Sequence, residues 1–126
     1  MTPVFQTHFE EEGTGPGNCM QASVASLFNV PLDYVPNFIL DKDPFAAFRE
    51  YMRICGYSIV KMPPEFVPTG IYFLTGISNR GHEHMALGYA GQLMFDPNPH
   101  GKPGFQKVDA VYWPVPSTDV AAELLQ

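Results

Sequence analysis

Positive charge is scarce. Seven Lys plus Arg residues stand against thirteen acidic ones, a formal charge of −6 over 126 residues. Such a surface repels phosphate backbones and anionic lipid alike, so neither nucleic acid nor a membrane is an expected partner. Long apolar runs are absent too: nothing approaches the ~20 residues needed to cross a bilayer, although 45% hydrophobic and 13% aromatic residues suffice for a core. Two cysteines, Cys19 and Cys55, are too few for a disulfide framework. The start, Met1-Thr2-Pro3-Val4, has no basic region followed by an apolar one, so the expected location is the cytoplasm. The length fits one domain spanning residues 1–126. No internal repeat or low-complexity segment is visible.

Proline and glycine, by contrast, are plentiful, at thirteen and eleven. They lie between the periodic segments, which points to short elements joined by rigid turns. The sharpest of these junctions is Gly15-Pro16-Gly17-Asn18-Cys19, followed by Met20 to Phe28 without Gly or Pro and with Val24, Leu27 and Phe28 on one helical face. Cys19 falls on the first turn, where unpaired backbone N–H groups and the positive end of the helix dipole favour a thiolate, the species that attacks carbonyl carbon. A free cysteine is otherwise a small buried apolar residue.

Pro3 to Phe9 reads as a short extended segment, and Glu10-Glu11-Glu12-Gly13 as a solvated turn. Pro31 ends the first helix by pushing Val30 out of the α region, and Pro31 to Phe38 allows one helical turn that packs Leu32, Val35 and Phe38. Asp43-Pro44 starts a second helix, with Asp as N-cap and Pro at the first position. Phe45, Phe48, Met52 and Cys55 form its apolar stripe and Gly56 its stop, so Cys55 is expected to pack. The pattern then changes to alternation. Tyr57–Lys61, Ile71–Thr75, His84–Tyr89, Leu93–Phe95 and Val108–Trp113 read as strands, and Ser117-Thr118-Asp119 as the cap of a last turn ending in Leu124 and Leu125. Helices followed by strands predict an α+β fold in which the N-terminal helices pack on a largely antiparallel sheet.

A thiolate nucleophile needs a nearby base. Of His8, His82, His84 and His100, His84 has the distinctive place, opening the run Met85-Ala86-Leu87-Gly88-Tyr89 after a polar loop. If Ala90-Gly91 is a two-residue hairpin turn, Tyr89 faces Gln92 and the register puts Met85 opposite Asp96, with His84 diagonal to it. Asp96 then fixes the tautomer of His84 through one ring nitrogen and leaves the other for Cys19. Asp96-Pro97 is also ordinary strand-ending turn chemistry. An oxyanion formed at the substrate carbonyl needs donors: the Cys19 N–H is one, and a side-chain amide of Gln6 or Asn18 is the second. The loops Pro63–Pro68 and Pro97–Pro103 are expected to flank the site.

A glutamine, then Gly17-Asn18-Cys19 opening a helix, then a histidine opening a strand and an aspartate ending the next, resembles the papain-like cysteine peptidase superfamily in its compact bacterial forms. In order of parts it is similar to the bacteriocin-processing and NlpC-type peptidases. The stretch Gly17 to Phe38 with Asp96-Pro97-Asn98-Pro99 also resembles a group of small bacterial and phage proteins. The resemblance implies a papain-like fold, with Cys19 as nucleophile, His84 as general base, Asp96 as its orienting residue and Gln6 as oxyanion donor. It further implies a thiol hydrolase acting without a cofactor on an amide, peptide or isopeptide bond of a peptide or protein substrate. Transfer of the acyl group to an amine would use the same residues. Two other readings compete: an inert binding module or inhibitor of the kind a phage encodes, which a small acidic chain suits, and a metal site in which His82 and His84 are joined by Asp96, His100 or Cys19.

Overall fold

A computed structural model of the chain describes residues 2–9 and 17–117. The acidic turn and the glycine-rich loop as far as Pro16, and the expected last turn beyond Ser117, lie outside the described residues.

Two helices, α1 (Cys19–Phe28) and α2 (Pro44–Ile54), are followed by five strands: β1 (Tyr57–Met62), β2 (Ile71–Ser78), β3 (Glu83–Tyr89), β4 (Gln92–Phe95) and β5 (Phe105–Pro116). The strands form one sheet in the order β1-β5-β2-β3-β4, antiparallel at every pairing. The α+β expectation therefore holds in its coarse form, with α1 laid on β3 and α2 on β1. Between helices and sheet lies a core of Val24, Phe38, Phe48, Met52, Phe73, Met85 and Leu87, all at most 2% exposed. Among the described residues no helix is long and apolar enough to cross a membrane.

Local chemistry accounts for most element ends. Asp43 caps α2 as expected, its Oδ1 accepting from the Ala46 N–H, with Pro44 at the first helical position. The region between the helices holds two single 3₁₀ turns, Leu32–Tyr34 and Phe38–Leu40, that bury Val35 and Phe38. The β3–β4 hairpin turns through Ala90 (φ 54°) and Gly91 (φ 81°), the paired positive φ of a two-residue turn that fits strand twist.

The segment before Phe9 pairs with none of the five strands and is a strap across the end of α1, with the Val4 N–H donating to Ser26 Oγ (2.8 Å) and the Gln6 N–H to the Pro97 carbonyl (2.9 Å). Two expectations are corrected. Cys55 does not pack: it is the C-cap of α2, where the chain leaves the helix, and it is exposed. Second, the hairpin register changes part-way. Tyr89 pairs with Gln92 and Gly88 with Leu93, but Leu87 then pairs with Phe95, leaving Met94 bulged. Met85 is therefore not opposite Asp96, which lies just past the end of β4.

Candidate functional site

Cys19 opens α1, at the edge of a cleft of about 320 Å³ whose lining includes Gln6, Cys19, Met20, His84, Met85 and Asn98. What fixes the helix start is Asn18, 1% exposed. Its Oδ1 accepts from the backbone N–H groups of Thr7 (2.9 Å) and His8 (2.8 Å), and its Nδ2 donates to Thr7 Oγ1 and Gln21 Oε1 (both 3.1 Å). Gln21 passes the connection on through Nε2 to the carbonyls of Leu32 and Val35. With its whole amide committed to the strap and to Gln21, Asn18 is a holder of the loop; of the two amides considered for the oxyanion, only Gln6 keeps capacity.

Because Asn18 turns its side chain to the strap, it makes no side-chain cap to α1. The first helical bond is Ala22 N–H to the Asn18 carbonyl, so the N–H groups of Cys19, Met20 and Gln21 precede the helical ladder beside the cysteine sulfur. An Asn18→Ala chain loses the acceptor of the Thr7 and His8 N–H groups, in two part-buried hydrogen bonds, and is expected to be less stable by about 1–2 kcal/mol. Urea unfolding of the two proteins checks this, with an unchanged midpoint counting against it.

His84 sits at the second position of β3, paired with Gly76 of β2. Beside it β2 is irregular against β5, with register shifts at Thr75/Gly76 and Ile77/Ser78. A Cβ on Gly76 would stand 2.0 Å from the Lys107 carbonyl oxygen, so only glycine lets β5 come this close. Irregularities of this kind re-aim side chains at a sheet's end, and both His84 and Met85 reach the cleft.

The His84 imidazole donates from Nε2 to Asp96 Oδ1 over 2.7 Å, with the two side chains 5% and 3% exposed. Asp96 Oδ1 also accepts the Asn98 N–H (2.9 Å), an Asx turn, and Oδ2 accepts the Gly104 N–H (2.8 Å). The strand-ending turn and the partner of a histidine are thus one carboxylate in both roles. Nδ1 is left for Cys19, whose sulfur also accepts the Met85 N–H at 3.3 Å.

The electrostatics follow from these contacts. Burial opposes a charged His84, but its hydrogen bonds to Asp96 and Cys19 and their charges outweigh it and raise the imidazole from 6.5 to about 9. Burial likewise favours a protonated Asp96, yet the His84 hydrogen bond and charge, with the Gly104 and Asn98 N–H groups, hold it down at about 2. The group the structure assembles at neutral pH is an imidazolium between a carboxylate and a sulfur.

Gln6, 6% exposed, lines the same cleft. Its Nε2 donates one hydrogen to the His8 carbonyl (2.9 Å) and has a second to give, while Oε1 has no partner among the described residues. The four residues singled out in the sequence, Gln6, Cys19, His84 and Asp96, are therefore brought together, the first three along the cleft wall and Asp96 behind His84.

Of the flanking loops, Asn98 in Pro97–Pro103 does border the cleft, but Pro63–Pro68 does not. Its residues Pro64 to Val67 line a separate groove with Tyr72 and Leu74, where Phe66 lies against Trp113. The metal reading gains no ligand set: among the described residues no group of three or more His, Cys, Asp or Glu side chains is placed to hold an ion. Spacing alone gave no signal for Arg80, in the β2–β3 turn, which contacts Asp96 Oδ2 through both terminal nitrogens at 3.4 Å. The role of the Met85 N–H was equally unreadable, since it depends on how α1 is laid over β3. Comparison with family models, with curated proteins and with solved structures finds no match for this chain.

Proposed function

We propose that this protein is a thiol hydrolase of papain-like type that cleaves an amide, peptide or isopeptide bond with Cys19, His84, Asp96 and Gln6. The observation that carries the reading is the buried 2.7 Å bond from His84 Nε2 to Asp96, which presents the opposite ring nitrogen to a cysteine at an uncapped helix start. The fold's order of parts, helices first and then an antiparallel sheet, is consistent with the papain-like comparison. The cleft supports a substrate too, because its lining combines apolar Met20, Ile39, Phe45 and Tyr112 with charged Lys61, Glu83 and Asp109, groups that suit a peptide.

In this mechanism the Cys19 sulfur attacks the substrate carbonyl carbon. Charge collects on the carbonyl oxygen, where the Cys19 N–H and the free hydrogen of Gln6 Nε2 receive it. His84 gives its proton to the leaving amine, the C–N bond breaks, and a Cys19 thioester remains. Asp96 keeps the imidazole oriented and stabilises its charge throughout. A water that loses its proton to His84 then attacks the thioester, releasing the acid and restoring the thiol. An amine in place of that water gives acyl transfer.

The test is a panel of fluorogenic peptidyl, isopeptidyl and simple amides, with intact-mass detection of acyl-Cys19. Release of the amine by the native chain, lost in Cys19→Ala, is the expected outcome. If no member of the panel is cleaved and an activated acyl ester leaves Cys19 unmodified, the reading fails.

A further inference from the structure

The 96–104 loop is clamped to the β2–β3 turn by one side chain. Arg80 Nη1 donates to the Lys102 carbonyl at 2.7 Å while both terminal nitrogens reach Asp96 Oδ2, and its side chain is 11% exposed. The turn carrying it is itself pinned. Ser78, 1% exposed, accepts the Arg80 and His82 N–H groups on its hydroxyl, and its own N–H donates to the His82 carbonyl at 2.8 Å. The stem of Arg80 lies along Gly101, where an added Cβ would stand 3.6 Å from Arg80 Cγ.

We infer that Arg80 is a positioning residue, which holds the Asp96 carboxylate in line with His84 Nε2 by tying Oδ2 and the Lys102 carbonyl to one rigid guanidinium. The inference rests on the His84–Asp96 pair being the working pair of the proposed hydrolase. Two oxygens of one carboxylate have different tasks here. Oδ1 faces the imidazole, and Oδ2 is anchored by Gly104 and Arg80, so the carboxylate plane cannot turn away without breaking the anchor. A guanidinium suits the place because it is planar and reaches two acceptors at once, where an ammonium is a point charge.

Charge and position predict opposite results. Acting only as a nearby positive charge, Arg80 would disfavour the imidazolium, and its removal would raise the pKa of His84. Acting as an anchor, it keeps the anion against His84, and its removal lets that pKa fall. The experiment is an imidazole ¹⁵N NMR titration of native, Arg80→Gln, Arg80→Lys and Asn79→Ala proteins, with the His84 signal assigned through His84→Gln. Asn79 is the control, since its Nδ2 ties the same loop at the Pro103 carbonyl (2.8 Å) without touching Asp96.

The expected result is a fall of about one unit for His84 in Arg80→Gln, less than half recovered in Arg80→Lys, and no shift in Asn79→Ala. Where a cleavable amide is found, kcat falls in Arg80→Gln with KM little changed. A rise or no change in the His84 titration overturns the inference, as does an equal shift in Asn79→Ala, which would mean general loosening of the loop. A raised KM with His84 titrating as in the native chain overturns it in favour of substrate binding by Arg80. The titration needs no substrate, so it separates failure of this inference from failure of the hydrolase reading.

Discussion

Replacing His84 by alanine lowers turnover of any amide that the native chain cleaves by about 10²–10⁴-fold, the range that a positioned general acid–base group supplies. The basis is that His84 links Cys19 to Asp96, its Nε2 held at 2.7 Å and its other nitrogen left to the sulfur. The same substitution is expected to slow iodoacetamide labelling of Cys19 at pH 6.5 by about tenfold, since an unassisted cysteine is only a few per cent thiolate even at pH 7. Cys55 supplies an internal standard, being exposed on the far end of α2. The measurement is the ratio of Cys19 to Cys55 adducts by peptide mass spectrometry. A ratio unchanged by His84→Ala would mean that the imidazole does not act on the sulfur, and the hydrolase reading would go with it. The loss of the His84–Asp96 contact also costs stability, so the comparison is made where urea unfolding shows both proteins folded; Asp96 keeps the Asn98 and Gly104 N–H groups and its contact with Arg80 when the imidazole is gone.

How far such a site could be read from the sequence depended on whether its residues obey local rules. Asp43-Pro44 caps a helix wherever it lands, and Ala90-Gly91 between two alternating runs makes a hairpin, so α2 and the β3–β4 pair were both legible. Cys19 at a helix start was legible for the same reason. The juxtaposition of His84 and Asp96 was anticipated through a regular register that the chain does not keep: the bulge at Met94 displaces Asp96 past the strand end, and the contact is made from a turn instead. Bulges leave no local signature when no glycine marks them.

The remaining gaps are tertiary. Ser23 and Ser26, which no sequence pattern singled out, are both fully buried, with Ser23 Oγ donating to the Met85 carbonyl and Ser26 Oγ bonded to Val4. Short hydroxyls let α1 lie close to β3 and to the strap at once, and that closeness brings Cys19 to the Met85 N–H. Cys55 failed in the other direction, since a helical stripe continued one residue too far ends at a cap that faces water. Arg80 is separated from Asp96 by a whole hairpin, and no spacing rule connects them.

The second large effect is on stability, and its sign depends on pH. His84 is raised from 6.5 to about 9, so its contribution is complete below pH 6.5 and is lost as pH rises through about 9. Asp96 is lowered from 3.8 to about 2, so its contribution is complete above pH 3.8 and is lost as pH falls through about 2. The His84–Asp96 contact is what the two shifts share, worth about 2 kcal/mol and at full strength between roughly pH 4 and 6.5, with Cys19 adding to the first and the Gly104 and Asn98 N–H groups to the second. Asp96→Asn removes the anion while keeping the shape. A buried imidazole without a counter-charge then favours its neutral form, so the variant loses stability as pH falls below about 6.5, the opposite of the native plateau. The gap between native and Asp96→Asn is therefore expected to be widest near pH 5, at about 3 kcal/mol, and to narrow toward pH 10. Urea unfolding of both proteins from pH 3 to 10 measures it. A gap that does not vary with pH would mean that Asp96 serves the turn at Asn98 and Gly104 alone, with His84 neutral beside it.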